Sequence, residues 1–492
     1  MNHEERIRTP LIRYHKGGKL IPTTWDEAII HVAKKLDAMV DEHGRDALGV
    51  VGSPRVTNEA NYLLYKFATE LVGTTNYAIT DTSSLKPFFD NLGGPLATHR
   101  DIRYAKTILL IGGEPEELQP LTGKQIRQAV RNGGAKLIVV NSTPIRLIEQ
   151  AGQFIHVRPG SEAALVLALA SESDDELAAG KLGVDAGEIQ TLRQSLTETQ
   201  GDVVIMFSTE LSAAAQALLA QLPYALRADG RRVLLHPLPL YNNSVGAHDM
   251  GLGNGTLSVT QMLDAAGESI RALYLVGSFL PEQLRSREDA LSKLDFLVVQ
   301  ELFETETTAF ADVVLPAASF AEIDGTFTNN DGFVQRVRQA IPPVSQSKAD
   351  WMITAQLATE LGMNFGFELS ASAVFSEIAA RLPAYAGLRY PVLKDESSPV
   401  QAKYKIAEQR DLTPELTTLR DAVQKLPETG DKLSITPKVG HELFKIGTLT
   451  DKVPQFHLLA EGNPRPETLR VSPLYQITVD QNLRTEAAVV AD

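Results

Sequence analysis

Side chains that commonly do chemistry are sparse in this chain. None of its 492 residues is cysteine, which removes a thiolate nucleophile, a thiolate-bound zinc, a disulfide and an ordinary iron–sulfur cluster from what this polypeptide can hold. Ten histidines are scattered without ligand spacing. His441-Glu442-Leu443-Phe444-Lys445 stops short of a zinc helix, because Lys445 stands in the place of the second histidine. The carboxylates Glu301, Glu304, Glu306, Asp312, Glu322 and Asp331 crowd one stretch and would suit paired acid–base work. No nucleophile or base stands at a fixed spacing beside them, so helix caps and loop hydrogen bonds are the expectation.

Phosphate loops fare no better. Gly251-Leu252-Gly253-Asn254-Gly255 has the glycines, but no strand runs straight into them and the third is misplaced for a dinucleotide fingerprint. Gly112-Gly113-Glu114-Pro115 follows an apolar run, yet Glu114, Glu116 and Glu117 would oppose a phosphate. Gly123-Lys124 has Leu118 where a P-loop needs glycine and Gln125 where it needs Ser or Thr. Taken alone, the residues indicate a large acidic α/β protein without a self-evident site.

Composition narrows the classes. Hydrophobic residues make up 43% and charged ones 22%, enough to bury a large core. Against 47 Lys+Arg stand 61 Asp+Glu, a net charge of −14, which repels nucleic acid held by bulk charge. No run approaches the roughly 18 apolar residues of a membrane span. The polar start, Met1 to Arg6, lacks the apolar stretch of a secretory signal. A cytoplasmic protein with no direct membrane insertion is expected.

The elements follow from periodicity. Arg8 to Pro22 is expected to form a hairpin around Gly17-Gly18. Thr24 with Glu27 makes a capping box opening a helix. Leu48–Gly52 is a short strand, and Thr57-Asn58-Glu59 opens a long helix that ends at Gly73. Unbroken apolar runs at 107–111, 136–140, 154–157, 203–207, 233–236, 272–276 and 296–300 indicate strands buried on both faces of parallel sheets. The fold class is therefore doubly wound α/β. After Val313–Pro316 a dense loop region is expected around Gly325–Asn329, then a helix from Asp350 to about Gly362. Beyond about 385 the chain turns polar and proline-punctuated and is taken as a loose extension. The expected divisions are an N-terminal hairpin remnant (1–23), a discontinuous first α/β domain (24–100 with 301–385), an inserted Rossmann-like domain (101–300) and a polar extension (386–492).

The order of motifs resembles the molybdopterin oxidoreductase superfamily. Arg8-x-Pro10-Leu11-Ile12-Arg13, Trp25-Asp26-Glu27-Ala28, Gly52–Arg55 with Thr57-Asn58-Glu59, and Gly73-Thr74-Thr75-Asn76 begin the match. Ile108–Pro115, Gly134–Val140 and Arg158-Pro159-Gly160 continue it. It is strongest at Ala311-Asp312-Val313-Val314-Leu315-Pro316 and Glu322-x-x-Gly325-Thr326-Phe327-Thr328-Asn329-x-x-Gly332. The resemblance implies a formate dehydrogenase/DMSO reductase-like fold (domains II and III), with molybdopterin guanine dinucleotide and a 4Fe-4S cluster as family cofactors. It places Asn58, Asn76, Asn141, Asn329, Asp331 and Gln335 around the family's cofactor cavity.

Departures from the pattern shape the functional expectation. The family's four-cysteine segment and any Cys or selenocysteine ligand to molybdenum are missing; a serine ligand is formally possible at Ser83 or Ser84. Asn141-Ser142-Thr143-Pro144 stands where relatives carry Asp-Pro-Arg, and Phe333 where they carry Arg. Two lost charge-assisted donors imply no measurable dinucleotide binding, so no bound cofactor or metal is expected. Those losses, with Gly325–Asn329 and Leu443-Phe444-x-x-Gly447-Thr448-Leu449-Thr450, look like the G subunit of bacterial NADH–quinone oxidoreductase (complex I). The expectation is a non-catalytic, structural part of that subunit, peripheral at the cytoplasmic face of the inner membrane. Its partners would be other complex I peripheral-arm subunits or a cluster-bearing N-terminal partner docked on Leu11, Ile12, Leu20 and Ile21 of the hairpin. The alternative is a molybdenum bis-pterin oxidoreductase subunit, formate dehydrogenase- or nitrate reductase-like; a free-standing pterin- or nucleotide-binding protein is a third possibility.

Overall fold

The computed structural model describes residues 3, 5–80, 84–158, 160–277, 288–366, 370–394 and 399–426. Ser83, Pro159, the His441–Lys445 segment, the Leu443–Thr450 motif and the polar extension from 427 onward lie outside the described residues.

Fifteen strands are described, in three sheets. β1 (Leu11–Ile12), β2 (Ile21–Pro22), β3 (Leu48–Gly52), β4 (Tyr77–Ile79), β10 (Ala272–Val276), β11 (Phe296–Glu301) and β12 (Val313–Pro316) form a seven-stranded sheet in the order β2-β1-β12-β11-β10-β3-β4. β5 (Thr107–Ile111), β6 (Lys136–Asn141), β7 (Gln153–His156), β8 (Val203–Ser208) and β9 (Val233–Leu238) form a parallel sheet in the order β7-β6-β5-β8-β9. β13 (Gly325–Thr328), β14 (Phe333–Val337) and β15 (Val400–Gln401) make a small antiparallel sheet.

The expected α/β class with parallel sheets is the one observed. β3, β5, β10 and β11 are buried along their whole length, because helices cover both faces, as unalternating apolar strands require. Thr24 caps the helix Trp25–His43 by accepting from the Glu27 amide at 3.2 Å. Thr57 caps the helix Asn58–Lys66 through the Ala60 amide. That helix continues as a wider turn, Phe67–Val72, and ends at Gly73 with φ 76°, a left-handed C-terminal residue that glycine adopts without strain.

Several expectations change. The inserted unit ends earlier than residue 300: β10 and β11 pair with β3 and β12, not with β5–β9. An apolar run shows that a strand is buried but not which sheet takes it. Gly325–Thr328 is a strand rather than loop, paired with β14 from Gly325↔Val337 to Thr328↔Val334. Part of the supposed loose extension is ordered: Thr413–Gln424 is a helix whose Leu419 and Val423 join the core of the five-stranded unit.

The hairpin is not a free remnant. β1 pairs antiparallel with β12, Leu11 opposite Val314 and Ile12 opposite Val313, and Ile12 is fully buried with Ala28, Val32 and Val313. Of Leu11, Ile12, Leu20 and Ile21, only Ile21 is strongly exposed, at 49%. The hairpin closes the sheet's edge, so its apolar residues serve the chain's own core. Among the described residues, no helix is long and apolar enough to cross a membrane.

Candidate functional site

β3, β10, β11 and β12 run parallel, so the loops leaving them emerge along one edge of the sheet. Ligand sites of open α/β sheets gather at this edge. Here the loops wall a cleft of about 1100 Å³, which suits a large cofactor more than a small metabolite. The five-stranded unit and the small antiparallel sheet close the other sides.

The loop after β3 is pinned before it reaches the cleft. The Asn61 carboxamide accepts from the Ser53 amide and donates to the Ser53 carbonyl at 2.9 Å. Arg55 follows, donating from Nη2 to the Gly277 carbonyl beyond β10 at 3.1 Å. Burial lowers its guanidinium pKa, opposed by Glu301 and Tyr241. Glu301 ends β11 and is only 4% exposed. Its Oε1 accepts from the Leu302 amide at 2.7 Å, while Oε2 is buried with no hydrogen-bond partner. Burial pushes this carboxyl up, with Arg55 pulling the other way. Asp350 lies at the same wall, pushed up to about 7 by burial although the Gln300 amide donates to it at 3.0 Å.

Polar groups from the other units face these. Gln119 and Asn242 come from the five-stranded unit, and Asn329, Asn330, Gln335 and Arg336 from the small sheet. Arg336 pairs with Asp324 at 2.9 Å and lies over the Tyr390 ring at 4.3 Å. The set is two guanidiniums, five carboxamides and an orphaned carboxylate oxygen. Guanidiniums answer phosphate, carboxamides pair with rings that alternate donors and acceptors, and a buried carboxylate oxygen demands a donor. A phosphorylated, nitrogen-rich heterocycle satisfies all three.

The six residues singled out in the sequence are not all brought together. Asn329 and Gln335 line the cleft; Asn329 Oδ1 also shapes its own turn by accepting from the amides of Asp331 and Phe333. Asn58 is fully buried beside it, and its amide donates to the hydroxyls of Thr326 and Thr328. Asp331 is likewise buried, accepting from the His99 amide at 2.9 Å. Asn76 precedes β4 at the opposite end of the sheet, donating to the Asp46 carbonyl. Asn141 ends β6 and lines a second pocket, on the five-stranded sheet. Ser84 is exposed, accepts from the Lys86 amide and is not among the cleft's lining residues. Arg55, Glu301, Asp350 and Arg336 carry most of the cleft's charge. Glu301 was visible only as one acid in a cluster; the signal was its place at the end of an apolar strand, where chains of this class carry ligand groups.

A sequence profile for molybdopterin oxidoreductases matches residues 6–360. The chain belongs to the molybdopterin oxidoreductase family. Curated relatives include a putative formate dehydrogenase of Bacillus subtilis, 29% identical over 81% of this chain and 48% of that protein. A formate dehydrogenase alpha subunit of Methanocaldococcus jannaschii is 30% identical over 80% of this chain and 68% of its own. The chain thus spans about half the length of its Bacillus relative. Among solved structures, acetylene hydratase from Pelobacter acetylenicus superposes with a TM-score of 0.61 at 17% identity, over 82% of this chain and 67% of that one, a likeness of fold.

These relatives overturn the complex I expectation. These curated relatives are named as formate dehydrogenases, not as G subunits of NADH–quinone oxidoreductase, and their names give a respiratory-chain role no support. The departures that suggested complex I misled for a local reason. Phe333 and Asn141 both lie outside the large cleft's lining, so their lost charges say nothing about its donors.

Proposed function

We propose that this chain is the cofactor-cradling part of a formate dehydrogenase-like oxidoreductase subunit, and that the cleft between its sheets holds one molybdopterin-type dinucleotide. The observation that carries this is the cleft's donor set, above all the buried, unpartnered Oε2 of Glu301 beside Arg55. The names of the relatives support formate as the substrate class.

In this arrangement Arg55 and Arg336 would neutralise the phosphates, and Asn242, Asn329 and Gln335 would read ring edges. Glu301 would accept from a ring N–H. The bound group would supply two-electron redox chemistry that no side chain of this polypeptide offers. Asp350, near 7, can hold or release a proton at the cleft wall at neutral pH. No thiolate for a metal comes from these 492 residues, so a cluster-bearing domain or partner is part of the proposal.

The test is calorimetric titration of the full chain with molybdopterin guanine dinucleotide. Saturable binding is expected, weakened about tenfold or more by Arg55→Ala and again by Glu301→Gln, since charge-assisted bonds contribute about 1.5–3 kcal/mol each. Absence of binding, or indifference to both substitutions, would sink this assignment. Formate-dependent dye reduction by the loaded chain with that cluster-bearing domain or partner tests the substrate.

A further inference from the structure

The five-stranded sheet has a pocket of its own, about 360 Å³, at the carboxyl ends of its strands. In the order β7-β6-β5-β8-β9 the connections diverge between β5 and β8, the usual place for a ligand. Gly112 and Gly113 turn the chain out of β5 with φ 65° and 74° and deliver Glu114 to the pocket wall.

This pocket is built against phosphate. The amino end of the helix Glu162–Ala170 opens into it, a position that ordinarily receives an anion. Here Glu162 fills that role itself, its carboxylate held by its own amide, the Gly160 amide and the Ser142 hydroxyl. Glu114 adds a second carboxyl, only 6% exposed, whose Oε2 is buried without a hydrogen-bond partner. Burial and then Glu117 push it up to about 8, with Glu116 adding to the rise and Arg146 opposing it. Arg146 does not offset that burial, and no donor meets Oε2. Leu419 and Val423 of the helix Thr413–Gln424 give one side of the wall an apolar surface, while Asn141, Thr143, Thr209 and Glu210 keep the rest polar.

We propose that this pocket binds a small organic cation, an amine or guanidinium whose N–H groups pair with Glu114 while its carbon chain lies against Leu419 and Val423, and that it does not take the phosphate of a dinucleotide. The site is independent of the large cleft, which shares with it only the wall residues Leu118, Gln119 and Leu240.

Agmatine, a guanidinium with a primary amine, is the probe. Titrated calorimetrically into the full chain, it should bind saturably at one site, and Glu114→Gln should weaken it at least about tenfold. The Gln variant should unfold at the same temperature or higher, because it removes an unpaired buried carboxyl, so lost binding cannot be ascribed to lost fold. Guanosine diphosphate should leave agmatine binding unchanged. The proposal is overturned if agmatine gives no saturable heat, if Glu114→Gln leaves its affinity intact, or if guanosine diphosphate displaces it. The last result would mean that the pocket reads a purine edge. Failure of dinucleotide binding in the large cleft bears on the proposed function alone.

Discussion

Arg6 and Glu322, 316 residues apart in the chain, meet as an ion pair of 2.9 Å with both side chains fully buried. Arg6 also donates to the Ala317 carbonyl, and Glu322 accepts from the Ser319 amide at 2.6 Å. Ala317 and Ser319 line the large cleft, so the pair fastens the start of the chain to the cleft's floor. Replacing one partner strands the other: Glu322→Gln is expected to cost about 3–5 kcal/mol in urea unfolding. Burial pushes the Glu322 carboxyl up, but bonds from Arg6 and Ser319 outweigh it and hold it below its ordinary value. Its stabilisation is therefore present above the ordinary carboxylate range and lost as pH falls through the lower folded value. The variant should show less acid loss than the parent; an equal loss would mean the pair is not the acid-sensitive contact.

Asp350 predicts the opposite slope. Its carboxyl stands near 7 in the folded protein, above the unfolded value of about 4. Between those limits the native state binds more protons than the unfolded one, so stability declines as pH rises from about 4 to about 7 and levels off above. Glu59 and Asp249, also near 7 because of burial, add to the decline. Asp350→Asn keeps the acceptor that meets Gln300 and removes one contributor. It should raise stability at pH 8 by about 1–2 kcal/mol and flatten the slope. Urea titrations at pH 5.5 and 8 decide it, and an unchanged slope would refute the assignment.

How much was legible beforehand follows from what each signal measures. Burial and periodicity are local, so the strands Leu48–Gly52 and Thr107–Ile111 and the caps at Thr24 and Thr57 could be read directly. Sheet membership is not local, so the apolar run Ala272–Val276 does not reveal that it pairs with Leu48–Val51 and Phe296–Gln300. At the helix Thr413–Gln424, Leu412, Leu416, Leu419 and Val423 repeat at helical spacing, but the polar outer face and flanking proline mask the stripe. In the cleft, Asn329 and Gln335 were anticipated from family motifs. Arg55 and Asp350 were not, because only the sheet's edge brings them within one wall.

Gly246 sits where three segments converge. A Cβ there would fall 2.1 Å from Oδ1 of both Asn243 and Asn58. Asn243 donates to the Val56 carbonyl and accepts from the Thr328 amide, while Asn58 holds the hydroxyls of Thr326 and Thr328. Gly246→Ala must displace one of these carboxamides and is expected to cost about 2–4 kcal/mol. Gly180 is the control: it lies within the helix Asp175–Leu182 and nothing stands within 4 Å of its added Cβ. Gly180→Ala should stabilise by about 0.5–1 kcal/mol through helix propensity. Thermal unfolding of the two variants should therefore shift in opposite directions.

The hairpin gives a contrast within ten residues. Ile12 is fully buried in β1 between the helix Trp25–His43 and β12, whereas Ile21 in β2 is 49% exposed at the sheet's outer edge. If the hairpin completes the core, Ile12→Asp places an unpaired carboxylate among Ala28, Val32 and Val313. The expected loss is about 4 kcal/mol or more, the sum of lost burial and an unsatisfied charge. Ile21→Asp should stay within about 0.5 kcal/mol, since its side chain already meets water. Were the hairpin instead a detachable docking element, both variants would unfold at the parent's temperature and differ only in what they bind. Differential scanning calorimetry on the two full-length variants separates these outcomes, and equal transitions would return the hairpin to the surface.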